Sequence, residues 1–448
     1  MKNGKLFQYI FMGAFVFFII VGAILFSTYR AGDKNVVNVN ITMWGTLPES
    51  SFTTFMAHYF SQANLKYTVN YVEKDPAVFD TDLVEALASG SGPDAIIMPE
   101  DMIVRYSNKI YPIPYALLPQ LTFKQTFVQE GELYLNDKGI MALPFSVDPL
   151  VMYWNRDIFN NVSLTKSPAT WTELANLAPK ITKKDLAQNI LRSAAALGEF
   201  RNVTNAKEIF SAQLIQNVDD ANSNNRSGSS LSPIVNLNPD GTLASTLNED
   251  FGQSVSPTTL TLGFFTNFSN PVKNEYSWNR SLPNSLDDFT NGDLAIYFGF
   301  ASEFTKIKSK NPNLNFDVSF LPQVAGTKVY STYGRMLGMA IMKNSSSPSG
   351  AYTAISALTS ADAFPFWNTI FNLPSARRDV LDQAESSAVK TVFNKSAIMS
   401  KGWLDPDKTQ TGAIFQEMVE SFTTGRENMA EAISAASDRL GALLNKTI

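Results

Sequence analysis

The chain has no cysteine and a single histidine, His58. That excludes disulfides, cysteine–histidine catalysis, the usual Ser-His-Asp triad and zinc held by His or Cys. His58 falls in an amphipathic helical segment, Ser51–Ala63, without the partners a general base needs, so it reads as a packing or surface residue. Phosphate-cradling loops are missing: neither GxxxxGK[ST] nor GxGxxG occurs. Dense Asp/Asn loops closed by a Glu are missing too, and Asn238-Pro-Asp-Gly241 reads as a turn rather than a calcium site. No metal and no cofactor is expected. Positive charge is not in excess: 36 Lys and Arg face 41 Asp and Glu, for a net charge of −5. Basic residues cluster only in pairs such as Lys183-Lys184 and Arg377-Arg378, so nucleic acid is not an expected partner.

One long apolar run is present, at the N-terminus. Leu6–Phe26 carries Gln8 as its only strongly polar residue. About 21 helical residues at about 1.5 Å each span a bilayer core of about 30 Å. The run is longer than the apolar region of a cleaved signal, and its exit, Ser-Thr-Tyr-Arg, is a poor cleavage site. Residues 1–5 are therefore expected to be cytoplasmic. Residues 6–28 read as a transmembrane anchor, or else a signal peptide, with the bulk of the chain outside the cell membrane. Without cysteine no lipid can be thiol-linked, so the helix itself must do any anchoring.

Beyond a polar linker the chain alternates strands and helices. Val36–Trp44 and Tyr67–Glu73 read as strands, and Asp82–Ser89 as a helix stopped by Gly90. In GPDAIIMPED the run Ala95–Met98 is continuous rather than alternating, which suits a strand buried on both faces. Glu100 and Asp101 follow its carboxyl end, the edge at which open α/β sheets bind ligands. Leu150–Trp154 reads as another buried strand, and Thr170 with Glu173 as a capping box for the helix after it. A long helical region is expected through Ile181–Val218. Residues 219–258, rich in Ser, Asn, Asp and Gly, read as a solvated loop or small hairpin. FTNGDLAIYFGF (289–300) repeats the grammar of residues 86–98: helix end, glycine turn, strand. Phe316–Leu321 and Met336–Met342 are two further strands, and Met418–Leu444 is mostly helical. Such alternation predicts parallel sheets covered by helices, and the strands are too many for one small sheet. Two α/β lobes sharing the chain discontinuously account for both facts.

Three kinds of side chain recur at strand ends and loops. They are acids (Glu100, Asp101, Asp148), amides (Asn155, Asn279) and aromatics (Trp44, Tyr153, Trp154, Trp278, Tyr333, Trp403). Carboxylates and amides bond directionally while aromatics offer apolar faces, a combination suited to polyhydroxylated ligands. Trp154, inside a strand, belongs to the core. Glu100 is expected to be solvated. The same acids could instead serve as the carboxylate pair of a glycosidase.

SGPDAII followed by ED, the run ALPFSVDPLVMYWNRDIF, PATWTEL, FTNGDLAIYFGF and a late helix containing Gly425-Arg426 occur in this order. Together they resemble extracellular solute-binding protein family 1, the maltose-binding-protein-like branch of the substrate-binding proteins of ABC importers. The resemblance covers most of the chain after about residue 36. It implies no enzyme but a two-lobed periplasmic-binding-protein-like fold (type II). Lobe 1 would comprise 36–147 plus about 337–385, and lobe 2 148–336 plus about 386–448. Strands cross between the lobes as a hinge, and a saccharide binds in the cleft of a monomer that docks on permease subunits. Position by position, it implies ligand roles for Gly45 and Thr46 after the first strand, Asp101, Asp148 at the first crossing, Tyr333 and Arg335 at the return crossing, and Trp403. Trp44 and Trp278 join them as candidate stacking faces. Met98, Met102 and Ser302 depart from residues common in sugar binders. A sensor or adhesin on the same fold, or an anchored glycoside-processing enzyme, are the alternatives.

Overall fold

The computed structural model describes residues 39–63, 67–224, 232–238, 241–385 and 387–447. The 6–28 segment lies outside the described residues. Among the described residues, no helix is long and apolar enough to cross a membrane.

Fourteen strands lie in the described residues. The first six are β1 (Val39–Gly45), β2 (Tyr67–Glu73), β3 (Ala95–Pro99), β4 (Leu135–Asn136), β5 (Gly139–Ile140) and β6 (Leu143–Asn155). They are followed by β7 (Lys183–Lys184), β8 (Ile190–Ala195), β9 (Val235–Leu237), β10 (Leu243–Ser245) and β11 (Leu294–Phe300). The last are β12 (Phe316–Ser319), β13 (Thr332–Ile341) and β14 (Ser400–Lys401). Ten join one sheet in the order β2-β1-β3-β13-β6-β11-β8-β7, with β12 beside β6 and β14 beside β13.

Two strands hold this sheet together. β6 is 13 residues long, and all of them except Asp148 are buried. Such a run can only be covered on both faces. Its first part, Leu143–Pro149, pairs antiparallel with β13. Its second part leaves β13 and pairs with β11 through Leu150–Trp154 and with β12 through Met152–Asn155. β13 makes the complementary passage, pairing with β3 through Leu337–Ile341 and with β14 at Thr332 and Tyr333. The sheet therefore has two halves, β2-β1-β3 on one side and β11-β8-β7 together with β12 on the other, joined through β6 and β13. Helices Glu49–Ala63 and Pro348–Leu358 cover the first half, packing on β2 and on β1 with β13 respectively. Helices Trp171–Ile181, Ala206–Asn224, Pro257–Asn267, Lys408–Thr423 and Met429–Thr447 build the second.

Local signals explain most of the boundaries. Gly90 and Gly292 both end helices in the left-handed region (φ 74° and 91°), which a side chain would disfavour. Thr170 Oγ1 accepts from Glu173 N at 3.1 Å, while Glu173 Oε2 reaches back one residue further than in a standard capping box, to Ala169 N at 2.7 Å. Asn155, one of the recurring amides, caps the helix Arg156–Asn161 by accepting from Asp157 N and Ile158 N. The expected helix through 181–218 is corrected. Ile190–Ala195 is a strand beside β11, and a helix begins only at Ala206. Apolar Ala-Leu stretches suit either state when short, and here the sheet position decides. Within residues 219–258, β9 and β10 form a small antiparallel hairpin.

Candidate functional site

The three-residue 3-10 turn Glu100–Met102 follows β3 at its carboxyl end and places two acids against β13. Side chains alternate along a strand, so Tyr333 and Arg335 project from one face of β13 and Gly334 and Met336 from the other. Asp101, Tyr333 and Arg335 line a single cavity of about 60 Å³. Opposite Asp101, the second half contributes Lys207 and Glu208 from the helix Ala206–Asn224, and Asp405 and Lys408 from the start of the helix Lys408–Thr423.

These groups are paired with one another. Arg335 Nη2 donates to Glu208 Oε1 at 2.8 Å, and the guanidinium stacks 3.7 Å from the Phe300 ring centre. Lys207 Nζ donates to Asp405 Oδ2 at 2.5 Å, Thr411 Oγ1 at 3.1 Å and the Lys408 carbonyl at 3.2 Å. Lys408 Nζ stands 3.9 Å from Asp101 Oδ2, an ion pair from one half of the sheet to the other. Although burial works against ionisation of Glu208, Arg335 holds its carboxyl below the usual range. Burial raises Asp101, with Lys408 opposing, and its Oδ1 is buried without a hydrogen-bond partner.

Glu100 is a correction: expected in solvent, it is buried and accepts from Met336 N at 2.9 Å. Burial, then the charge of Asp101, pushes it up to about 8. Glu130, which sequence reading did not single out, is 2% exposed, and neither carboxyl oxygen is hydrogen-bonded. It packs so close to β13 that a Cβ on Gly334 would stand 2.1 Å from its Oε2 and 2.8 Å from Ser400 Cβ. Gly334→Ala is accordingly expected to cost about 1–3 kcal/mol, read as a lower denaturant midpoint.

The remaining candidates fall elsewhere. Asp148 faces Arg335 across the β6–β13 register, but its oxygens accept from Ser302 N at 2.9 Å and Ser302 Oγ at 2.6 Å. Burial pushes its carboxyl up to about 6 against those bonds. Trp44 and Gly45 end β1, Thr46 follows it, and none of the three lines the cavity; Lys74 Nζ sits 3.9 Å from the Trp44 ring centre. A Cβ on Gly45 would come within 2.7 Å of Tyr71 Oη, which is a packing reason for that glycine. Trp278 and Trp403 are corrected as stacking faces, because both side chains are fully buried. Trp278 Nε1 donates to Asn202 Oδ1, and Trp403 stacks on Phe415. Lys207, Glu208, Asp405 and Lys408 were missed. The one available signal was Asp405-Pro-Asp-Lys408, where Asp407 caps the following helix.

Two larger hollows flank the junction, of about 390 and 570 Å³, and both touch Leu133, Leu135, Leu237 and Leu404. Another of about 550 Å³ beside Pro168, Phe320 and Tyr330 has mostly apolar walls. The small cavity gathers both signs of charge from both halves of the sheet together with carboxyls displaced by burial, the marks of a binding site; the 390 Å³ hollow also carries both signs, with Glu130 and Glu132 opposite Asp219 and Lys401. Among the described residues no group of three or more His, Cys, Asp or Glu could hold a metal ion.

Similarity to known proteins agrees with this architecture. The sugar-binding protein MalE from the phytopathogen Xanthomonas citri superposes with a TM-score of 0.70 at 16% identity, covering 91% of this chain and 98% of that one. A cyclo/maltodextrin-binding protein complexed with maltotetraose gives 0.67 at 14% identity, over 90% and 96%. An ABC transporter solute-binding protein from Thermotoga lettingae bound with α-D-tagatose gives 0.63 at 17%, over 90% and 99%. At such identities the likeness shows the fold. No curated protein matches the chain in sequence. The sequence model for bacterial extracellular solute-binding proteins, however, matches residues 56–394. The chain therefore belongs to the bacterial extracellular solute-binding protein family and is a binding protein, not an enzyme.

Proposed function

We propose that the chain is the extracytoplasmic binding component of an ABC importer, held to the membrane by residues 6–28. It captures a small saccharide as a monomer and presents it to permease subunits. The lobes are 36–147 plus about 337–385, and 148–336 plus about 386–448. They hinge on β6 and β13. The observation that carries this reading is the placement of Asp101 against Lys408, Lys207 and Glu208 around one cavity, from opposite halves of a sheet joined by two shared strands. Family membership supports solute binding, and the sugar ligands named for the structural neighbours support a saccharide.

A cavity of about 60 Å³ is well below the roughly 300–1,000 Å³ of a small-molecule site. Opening must therefore precede entry. The ligand then exchanges its own hydrogen bonds for the contacts the charged groups now make with each other, and closure follows because it contacts both lobes. Asp101 accepts a ligand hydroxyl, Tyr333 and Arg335 contact the ligand from β13, and Asp148 fixes the hinge beside Arg335. Trp44, Gly45 and Thr46 form the outer wall.

The test is thermal-shift screening of the full chain in detergent against a saccharide, polyol and amino-acid library. A ligand at about 100 times its Kd should add about 2.7 kcal/mol of stability. Asp101→Ala should weaken that ligand about ten- to a hundredfold, the value of one charge-assisted hydrogen bond. Stabilisation by amino acids alone would overturn the saccharide assignment, and unchanged affinity in Asp101→Ala would remove Asp101 from the site.

A further inference from the structure

Capture of a neutral sugar does not require what the cavity is best supplied with, which is cationic donors with spare capacity. Arg335 is fixed in plane by the Phe300 ring 3.7 Å beneath it. Of its five N–H donors only those on Nη2 are used among the described residues, by Glu208 at 2.8 Å and weakly by Asn205 at 3.5 Å. The Nε and Nη1 N–H groups are unengaged among the described residues, and the side chain is 45% exposed. Lys408 is 71% exposed, and its one carboxylate contact is loose, at 3.9 Å. Lys207, by contrast, is committed to three oxygens.

Surfaces that recognise neutral rings are scarce. Tyr333 is the sole aromatic among the described residues lining the cavity, and it is buried. The face of Phe300 is covered by Arg335. The acids present do not defeat an anion. Glu208, Asp405 and Asp101 are each paired with a cation, and Glu100 is pushed up to about 8 by burial. Asp101 keeps one buried oxygen unpartnered, an acceptor for a hydroxyl.

We infer that the solute is an acidic saccharide of the uronate type, whose carboxylate is held by Arg335 Nη1 and by Lys408 while a ring hydroxyl donates to Asp101. This rests on the saccharide reading above and narrows it. Arg335 Nη1 and Lys408 Nζ each supply a charge-assisted donor to the one carboxylate, and the guanidinium keeps its plane where a lysine would not.

Titration calorimetry on the full chain in detergent compares glucuronate, galacturonate and their short oligomers with glucose, galactose and the matching neutral oligomers. The acidic member of each pair should bind at least tenfold tighter, with the advantage shrinking as salt is raised from ~20 to ~500 mM. Arg335→Gln should lose roughly ten- to a hundredfold more for the acidic ligand than for the neutral one, with Arg335→Lys between. A merely structural role would lower both alike. Should Arg335→Gln not fold, the acidic–neutral comparison in the wild type decides alone. Equal or tighter binding of the neutral partner overturns the uronate inference and leaves saccharide capture standing. Binding of neither kind overturns both.

Discussion

Trp403→Ala is expected to lower the unfolding free energy by about 3–5 kcal/mol, the range for emptying a large aromatic site in a packed core. The Trp403 side chain has no solvent exposure, its ring stacks on Phe415 with centres 6.1 Å apart and planes at 20°, and Lys207 Nζ stands 5.6 Å from its centre. Removing it opens a cavity beneath the helix Lys408–Thr423 and withdraws one wall from the Lys207–Asp405 pair. Denaturant titration followed by circular dichroism measures the loss, and Trp403→Phe should recover most of it. A stacking platform for ligand would behave in the opposite way: the midpoint would barely move and only affinity would fall. That result would return Trp403 to the binding site.

The second large effect is on pH dependence. Glu100 rises from its ordinary 4.5 to about 8, chiefly through burial and then through Asp101. Glu130 lies well above its usual range for the same first reason, reinforced by the charges of Glu100 and Asp148, and Asp148 rises to about 6. In the folded chain these carboxyls hold their protons more tightly than in the unfolded one. The stability they contribute is therefore complete below about pH 4 and is lost as pH climbs through each raised value. For Glu100 alone the loss between about pH 4.5 and about pH 8 is roughly 5 kcal/mol, at about 1.4 kcal/mol per unit. Glu100→Gln keeps an uncharged acceptor for Met336 N but has no proton to release. Denaturant midpoints from pH 5 to pH 8 should fall more steeply in the wild type than in Glu100→Gln. Parallel slopes would mean that Glu100 is ionised throughout.

Much of the fold could be read from the sequence because its signals are local. Tyr67–Glu73 is a strand with the bounds its β-branched alternation predicts, and Gly90 and Gly292 end their helices with the φ that glycine favours. The α/β alternation is likewise written in periodicity. The strand Ile190–Ala195 was not legible, because a short apolar run is indifferent until a partner strand such as β11 is known. The site was legible in part. Asp101, Tyr333 and Arg335 stand at strand ends and meet in one cavity. Apart from the helix start at Asp405-Pro-Asp-Lys408, the residues Lys207, Glu208, Asp405 and Lys408 carry no local mark, since what brings them together is proximity across roughly 200 residues. Trp278 and Trp403 show the converse, because composition names a tryptophan but only packing decides which way it faces. Glu100 and Asp101, neighbours in sequence, end with different partners because the turn after β3 sends one to β13 and the other to Lys408.

The interleaving of β3, β6 and β13 also bears on when the polypeptide can acquire its shape. Glu100 and the backbone it serves at Met336 are 236 positions apart, so an emerging chain holds the front of the sheet without its neighbour until three quarters of the sequence has been made. The helices Lys408–Thr423 and Met429–Thr447, which finish the other side, come last of all. Contacts of such long range form slowly. Through most of synthesis the nascent molecule presents unclosed strand edges, which are open to wrong pairing until the final hundred residues arrive.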